Sequence, residues 1–416
     1  MSAATLATWG IAGLATAGVI GRPMRWPEWI WAVAGAVLLV VLGLVPLGAA
    51  GHAVGEGLDV YLFLIGMMLL SEVARLHGVF DWIAAVAVGH ARGSAPWLFA
   101  LVYAAGVLVT TFMSNDATAV VLTPAVFAVA RRAKVDPLPL LFACALVANA
   151  ASFVLPISNP ANLVLYGGHT PPLGQWLASF ALPSVASIVV TFLALRWVER
   201  SRIVGECAAV EERVALTRTG KLAVAAVAAT VVVLLVASAL DVSLGLPTAV
   251  LGIASALLIS AVARQSPVEL AKAVSWGVLL LVAGLFVLVE ALVRTGVVAM
   301  IAGQLRDAAG SDPKAAAAWA GGLLAVGSNL VNNLPAGLVA SSAVAQAQPP
   351  REVVDALLIG VDLGPNLSVT GSLATILWLQ VIRREGEDVG FWRFLKVGAV
   401  AMPVALVAAL GVRLLV

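Results

Sequence analysis

The sequence predicts an all-α polytopic membrane protein with about ten transmembrane helices, two re-entrant hairpins and two broken helices, arranged as an inverted repeat. Three observations support this prediction: a very apolar composition, polar interruptions inside apolar segments, and a repetition of those interruptions. Of the 416 residues, 62% are hydrophobic and 11% are charged, and the mean hydropathy is +1.04. Soluble domains are far less apolar than this. The net charge of +2 gives no indication of a nucleic-acid partner.

The first predicted repeat, residues 1–198, contains five apolar spans, the fourth of which is broken. They are predicted at 3–20, 29–47, 59–76, 138–166 and 176–198. The segment 48–58 is expected to be a loop, and 80–91 is too short to cross a bilayer and is expected at its interface.

The first re-entrant hairpin is predicted over residues 97–130. Its tip is Ser114-Asn115-Asp116, between two apolar arms that are both shorter than the roughly 20 residues of a straight span. Non-helical backbone at membrane depth requires protein or a water-filled cavity around it. An ionisable residue there is a candidate functional residue. The alternative is that Asp116 lies in a surface loop between two short spans.

The first broken helix is predicted at 138–166, where Pro156-Ile157-Ser158-Asn159-Pro160 interrupts an apolar segment. Two prolines four residues apart remove two backbone donors and prevent a continuous helix. Ser158 and Asn159 therefore become candidate binding residues.

A charged segment, 199–221, is the predicted cytoplasmic linker to the second repeat, residues 222–416. The second repeat contains spans at 222–240, 247–263, 274–293, 353–381 and 391–415, with a short polar turn at 264–272. Its hairpin, 315–344, carries Asn329, Asn332 and Asn333, and its broken helix, 353–381, carries Asp362, Thr370, Gly371 and Ser372.

The two halves repeat the same polar landmarks at matching intervals. Asn115 lies 43 residues after Glu72, and Asn333 lies 43 residues after Glu290. Such recurrence indicates an internal repeat. Five spans per half make the second repeat inverted. We expect Glu72 and Glu290 to pair with arginines about one helical turn further on, Arg75 and Arg294.

The distribution of basic residues predicts which side of the membrane each loop lies on. With both termini on the outer side, five basic residues lie outside, and the other 19 of the 24 lie on the cytoplasmic side. The five outer residues are Arg294, Arg306, Lys314, Arg351 and Arg413.

Inverted repeats with interrupted helices are typical of secondary transporters, which bind their substrate near the middle of the membrane. The predicted substrate-binding residues are Ser114, Asn115, Ser158, Asn159, Asn329, Asn332, Asn333, Thr370, Gly371 and Ser372. Their amides and hydroxyls both donate and accept hydrogen bonds. No Lys, Arg or His is among them, which favours a neutral hydroxyl-bearing substrate or a cation over a dianion.

Asp116 and Asp362 are the predicted proton-coupling residues, because a desolvated carboxylate takes up a proton more readily. Asp362 has an alternative role, that of accepting hydrogen bonds from backbone donors at its own helix break. The two cysteines, Cys144 and Cys207, are far apart in the sequence and indicate neither a disulfide framework nor a thiolate metal site. No cofactor or metal is predicted.

The sequence resembles the ArsB-type arsenite permeases of the ion transporter superfamily over nearly its whole length. The resemblance is carried by Asn115-Asp116, Leu122-Thr123-Pro124, Ile157-Ser158-Asn159, Asn332-Asn333-Leu334-Pro335, Asp362-Leu363-Gly364-Pro365, Gly371-Ser372-Leu373-Ala374-Thr375 and Leu377-Trp378-Leu379. In that family a basic residue often follows the last Gly-Pro pair, where this chain has Asn366.

The resemblance implies a function and its partners. It implies efflux of arsenite and antimonite, as neutral trihydroxides, across the bacterial inner membrane by proton exchange. It also implies an optional partner, a soluble arsenite-stimulated ATPase. Sodium-coupled relatives carry Ser-Asn-Thr at the hairpin tip, whereas this chain carries Asp116 in place of the threonine. An acid there favours protons over sodium.

Two alternatives stay open at the level of sequence. The first is another carrier of the same superfamily, coupled to sodium or specific for an anion such as a dicarboxylate. The second is an intramembrane aspartyl protease that uses Asp116 and Asp362. Because the chain has no GxGD motif and that chemistry does not require a repeat, we expect no enzyme activity.

Overall fold

The computed structural model describes residues 2–167, 170–208 and 215–416, which are mostly helical and contain no strand. Ten α-helices precede residue 199: α1 Ala3–Gly21, α2 Glu28–Val41, α3 Leu47–Glu56, α4 Leu58–Leu76, α5 Val79–His90, α6 Ala95–Phe112, α7 Thr123–Arg132, α8 Pro137–Ala150, α9 Pro160–Leu165 and α10 Leu173–Val198.

Ten more α-helices follow in the described part of the second half: α11 Arg218–Ala239, α12 Gly245–Ala263, α13 Pro267–Ala273, α14 Gly277–Arg294, α15 Val297–Ser311, α16 Pro313–Val331, α17 Asn333–Ala347, α18 Arg351–Leu363, α19 Leu373–Arg384 and α20 Phe391–Leu415. Each half of the described chain therefore contains ten helices, and in each half a hairpin is followed by a broken helix and then a long helix. Their inverted relationship, and the re-entry of each hairpin on one face, stay predictions.

Seven helices of the described chain are long and apolar enough to cross a membrane, and an eighth span is obtained if the bent pair α3 and α4 counts as one. The prediction of about ten spans included both broken helices, whose pieces are individually too short. It also excluded the first arm of hairpin one, which is α6, an 18-residue helix that passes as a span by length and composition.

The prediction for residues 29–58 was wrong in detail. Helix α2 ends at Val41 and not at residue 47, and the expected loop at 48–58 is helix α3. Gly43 has a φ of +69°, a conformation that stops a helix and that glycine adopts at no steric cost. The predicted polar turn at 264–272 likewise contains helix α13.

Both predicted breaks are present, although the first opens earlier than the prolines indicate. Helix α8 ends at Ala150, and the chain remains irregular until α9 begins at Pro160. The side-chain amide of Asn162 donates to the carbonyl of Ser152 at 2.9 Å, which helps to satisfy the opened backbone. The second break separates α18 from α19.

Close helix contacts hold the remaining spans together. Helix α4 packs on α12, and a Cβ on Gly252 would lie 2.5 Å from the carbonyl oxygen of Gly66. Helix α16 packs on α18 in the same way, through Gly321 and Gly360. Small residues let helix backbones approach closely where apolar burial gives no driving force.

The predicted linker, 199–221, is partly replaced by helix, because α11 begins at Arg218. Residues 209–214 of the linker lie outside the described residues. At its start, the buried Glu199 accepts hydrogen bonds from Arg393 at 2.6 and 2.8 Å, which joins the end of α10 to the start of α20.

Candidate functional site

The hairpin tips and helix breaks meet around a small central chamber. Its volume is about 20 Å³, slightly more than the roughly 10–15 Å³ that one water molecule needs. Five predicted site residues line it: Asn115, Asp116, Asn159, Asn333 and Ser372. Both hairpins and both broken helices therefore contribute to one chamber. No Lys, Arg or His side chain is among its described lining residues.

A first cavity of about 540 Å³ opens next to the chamber. Ser114 and Asp116 line it on the side of the first hairpin tip, and Glu72, Arg75 and Arg384 are among its other lining residues. Asp116 lines both the first cavity and the chamber. Asp116 is itself partly exposed and lies between Asn115, which is 3% exposed, and the largely buried segment Ala117–Leu122. These surroundings favour the predicted tip over an outer surface loop.

A second cavity of about 580 Å³ lies beside the second hairpin. Its polar lining residues include Glu290 on α14 and Ser341, Ser342 and Gln346 on α17. It shares Val60 with the chamber but none of the five polar chamber residues. Among the described residues, the chamber therefore shares a polar lining residue, Asp116, with the first cavity and none with the second.

Asp362 lies directly behind the chamber and is fully buried. The Nδ2 of Asn159 donates to its Oδ1 at 2.8 Å, while its Oδ2 has no hydrogen-bond partner among the described residues. Ser152, which lies beside it, donates its hydroxyl to the carbonyl of Asn149 instead. The alternative in which Asp362 accepts backbone donors at its own break is thus not the one observed. Asn159 connects the carboxylate to the chamber.

Asn329 and Thr370 stabilise the second break and do not line the chamber in this conformation. Asn329 donates to the carbonyl of Gly364 at 2.9 Å and accepts from the hydroxyl of Ser368 at 2.8 Å. Thr370 donates to the carbonyl of Asn329 at 2.9 Å. The Nδ2 of Asn332 in turn lies 3.4 Å from the carbonyl of Thr370. These bonds fasten hairpin two to the second broken helix.

Ser158 and Gly371 also hold backbone in place. The hydroxyl of Ser158 donates to the carbonyl of Thr111 at 3.0 Å, which ties the first break to α6. A Cβ on Gly371 would lie 2.5 Å from the Cα of Pro365, so only glycine fits there without a shift of the backbone.

Two helices begin at the chamber, and one N–H group in the first turn of each is capped by a side chain of the chain itself, as is one N–H group behind the first hairpin tip. Ser372 accepts from the N–H of Thr375 at the start of α19. Asn332 accepts from the N–H of Leu334 at the start of α17. Ser114 accepts from the N–H of Ala117 behind the first tip. Such capping removes donors that an anion would otherwise use.

The predicted pairing of Glu72 and Glu290 is confirmed. Arg75 forms two hydrogen bonds to Glu72, one of them at 2.8 Å from its Nε, and Arg294 donates to Glu290 at 2.7 Å. Glu72 and Arg75 both line the first cavity, whereas Glu290 lines the second cavity without Arg294. Both acids therefore form the ion pairs that we expected from the sequence, with Arg75 and with Arg294.

Sequence reasoning missed an ionic cluster on α18. Asp355 is fully buried and accepts from the hydroxyl of Tyr166 at 2.8 Å and from Arg413 at 2.9 Å. Asp355 lies seven residues before Asp362, about two helical turns away on the same face. This seven-residue spacing is the feature of the sequence that could have indicated a second buried acid on α18. Asn366 is also structural, since it donates to the carbonyl of Leu146 at 2.9 Å.

Sequence reasoning also missed the apolar side of the chamber, formed by Val60 and Leu64 on α4 and by Val278 and Val282 on α14. Each pair has i, i+4 spacing and so lies on one helix face. Val278 follows Val60 by 218 residues, the same interval that separates Glu290 from Glu72. The repeat therefore contained a signal for this surface.

The chain is similar to known transporters over nearly all of its length. Residues 17–363 match the family model described as citrate transporter. An uncharacterized transporter of Mycobacterium tuberculosis is 28% identical over 401 residues, which cover 91% of each chain. The arsenical pump membrane protein of Escherichia coli is 26% identical over 405 residues, which cover 92% of this chain and 93% of that protein.

A solved structure shows the fold. The crystal structure of the YdaH transporter from Alcanivorax borkumensis superimposes with a TM-score of 0.59 at 16% identity, covering 93% of this chain and 97% of that chain. The prediction of an all-α polytopic membrane protein with a transporter fold is thereby confirmed.

Proposed function

The chain belongs to the citrate transporter family, and on that premise we propose that it exports arsenite and antimonite across the bacterial inner membrane in exchange for protons. In this proposal the substrates are neutral trihydroxides. Alternating access exposes the central chamber first to one cavity and then to the other. Arsenical transport by a relative that covers most of this chain supports the choice of substrate.

The composition of the chamber is the observation that carries the proposal. Amides and a hydroxyl from Asn115, Asn159, Asn333 and Ser372 surround it, and Asp116 is its one ionisable side chain among the described residues. Arsenite at neutral pH is largely the uncharged trihydroxide, whose hydroxyls match such donors and acceptors. A polyanion would meet a carboxylate and no counter-charge.

Two carboxylates at different depths support proton coupling. Asp116 lies where the first cavity meets the chamber, and Asp362 lies behind Asn159 with one oxygen atom unpaired among the described residues. A buried carboxylate without a counter-charge is stabilised by a proton. We propose that proton binding at these two residues and substrate binding in the chamber exclude one another.

The distribution of basic residues supports the proposed orientation. With both termini outside, 19 of 24 basic residues lie on the cytoplasmic side. Arg75 and Arg384 line the first cavity, which we therefore place on the cytoplasmic side. An exporter whose chamber is open to that cavity would be poised to load arsenite.

A second candidate function is the transport of an organic anion. The helix starts around the chamber favour it, since helix N-termini attract negative charge, and so does the description of the matching family. The capping of those N-termini by Ser114, Asn332 and Ser372 weakens this candidate.

The deciding experiment is arsenite uptake into everted membrane vesicles from cells that express the full chain. We expect uptake with an imposed pH gradient, collapse with a protonophore, and no dependence on sodium. Vesicles without the protein provide the blank. Absence of arsenite uptake, combined with uptake of citrate or another carboxylate, would replace the proposal by the anion candidate.

A further inference from the structure

The central chamber has two chemically unlike sides. The hairpins and broken helices supply every polar lining residue, together with the apolar Pro160, Leu334, Leu373 and Ala374. The lining residues from α4 and α14 are all apolar and form a wall without hydrogen-bonding side chains: Val60, Leu64, Val278 and Val282. Three of the four wall residues are nearly inaccessible: Val60 is 3%, Leu64 is 4% and Val282 is 1% exposed. Leu64 and Val278 also line the first cavity, and Val60 also lines the second.

The shape of a trihydroxide matches this division. Trivalent arsenic carries three hydroxyls on one side of a pyramid and a lone pair on the other. The hydroxyls can bond to the amides of Asn115, Asn159 and Asn333 while the bare side of the arsenic faces the wall. A polycarboxylate has charged groups at more than one end, and a hydrated cation has polar atoms in every direction, so the wall would strip water from some of them without replacement.

We propose that the wall residues Val60, Leu64, Val278 and Val282 determine specificity by limiting the size of the solute and rejecting solutes with polar atoms on all sides. This inference rests on the proposed function, because it explains why that site selects a trihydroxide. The chamber of about 20 Å³ is smaller than any of these solutes, so a bound solute must displace side chains, and a bulkier solute must displace them further.

The test truncates wall side chains, which enlarges the chamber, and then measures inhibition by a bulkier arsenical. The full chain with Cys144→Ser and Cys207→Ser, which removes thiols that would trap arsenicals, is reconstituted into liposomes. Arsenite uptake is driven by a pH gradient, and phenylarsonous acid, in which a phenyl ring replaces one hydroxyl, is the competitor. The variants are Leu64→Ala, Val278→Ala and the matched control Leu280→Ala. Leu280 lies on α14 but is 46% exposed, outside the chamber lining.

We expect both wall variants to lower the half-inhibitory concentration of phenylarsonous acid by roughly tenfold or more, because small volume changes in an apolar pocket discriminate to that extent. Leu280→Ala should leave it unchanged. Val278→Ala is the milder change and preserves the test if Leu64→Ala does not fold.

The outcomes separate the two proposals. An unchanged half-inhibitory concentration in folded wall variants that still take up arsenite would overturn the specificity role and leave the proposed function intact. Loss of arsenite uptake in both wall variants, with uptake kept in Leu280→Ala, would show that the wall is needed for folding or transport itself and would overturn a role in specificity. If the wild-type protein takes up no arsenite, the proposed function fails and the inference falls with it.

Discussion

The first and second halves of α18 each bury an aspartate, but the two aspartates have different partners. Asp355 accepts hydrogen bonds from Tyr166 and Arg413 and lies 3.7 Å from the guanidinium of Arg351. Asp362, two turns later on the same face, accepts one bond from the amide of Asn159 and leaves its other oxygen without a partner among the described residues. Both side chains are fully buried.

In our proposal, this difference in partners distinguishes a structural acid, Asp355, from a proton-coupling acid, Asp362. A buried ion pair can remain charged because its partner offsets the loss of hydration. A buried carboxylate that faces only an amide is stable when it takes up a proton or a cation. We therefore propose that Asp355 stays ionised, whereas Asp362, equally buried on the same helix face, takes up and releases a proton.

The largest expected effect belongs to Asp362→Asn. Asparagine still accepts the bond from Asn159 but cannot exchange a proton, so we expect proton-driven arsenite uptake to be abolished while the protein accumulates normally. Uptake into everted vesicles measures the loss of transport, and the amount of protein in the membrane measures its accumulation. Retained uptake under a pH gradient would show that Asp362 is not a coupling residue.

Asp116→Asn tests whether Asp116, which lines the first cavity, is a proton-coupling residue as proposed for Asp362. We expect loss of proton-coupled export with unchanged folding, since Asp116 has no role in helix packing among the contacts described above. Exchange of labelled arsenite across vesicles without a pH gradient is the informative control. Survival of pH-driven uptake in this variant would exclude Asp116 from coupling.

Asp355→Asn should act on stability. Removal of the charge leaves Arg413 partly buried without its counter-charge, and breaking a buried pair costs about 3–5 kcal/mol. We expect a clearly lower thermal midpoint in detergent, partly restored by the added change Arg413→Gln. Asp362→Asn should leave the midpoint unchanged or raise it. Equal midpoints for the two asparagine variants would contradict the distinction between the acids.

Tyr166→Phe should have the smallest effect. It removes one hydrogen bond to Asp355 while both arginines remain, so we expect a loss of about 1–2 kcal/mol in stability. Proton-coupled uptake should keep its dependence on pH. A change in that dependence, measured over a series of imposed gradients, would indicate that the cluster around Asp355 participates in coupling.

Much of this arrangement follows from the sequence by itself. Apolar length sets the spans, prolines and glycines set the breaks, and the recurrence of Glu72 and Asn115 as Glu290 and Asn333 points to a repeat. These are local or periodic properties of the chain, and each has a direct physical consequence for a helix in a membrane. The polar residues of the tips were therefore recognisable as candidates before any coordinates were known.

Only the tertiary structure decided which candidates share one chamber. Asn329 and Thr370 look like Asn333 and Ser372 in the sequence, yet they bond to the second break while the other two line the chamber. The same holds for Asp362, which differs from Asp355 only in what lies opposite. The reason is physical: whether a buried polar group is satisfied depends on partners that arrive from distant segments, and sequence spacing does not specify them.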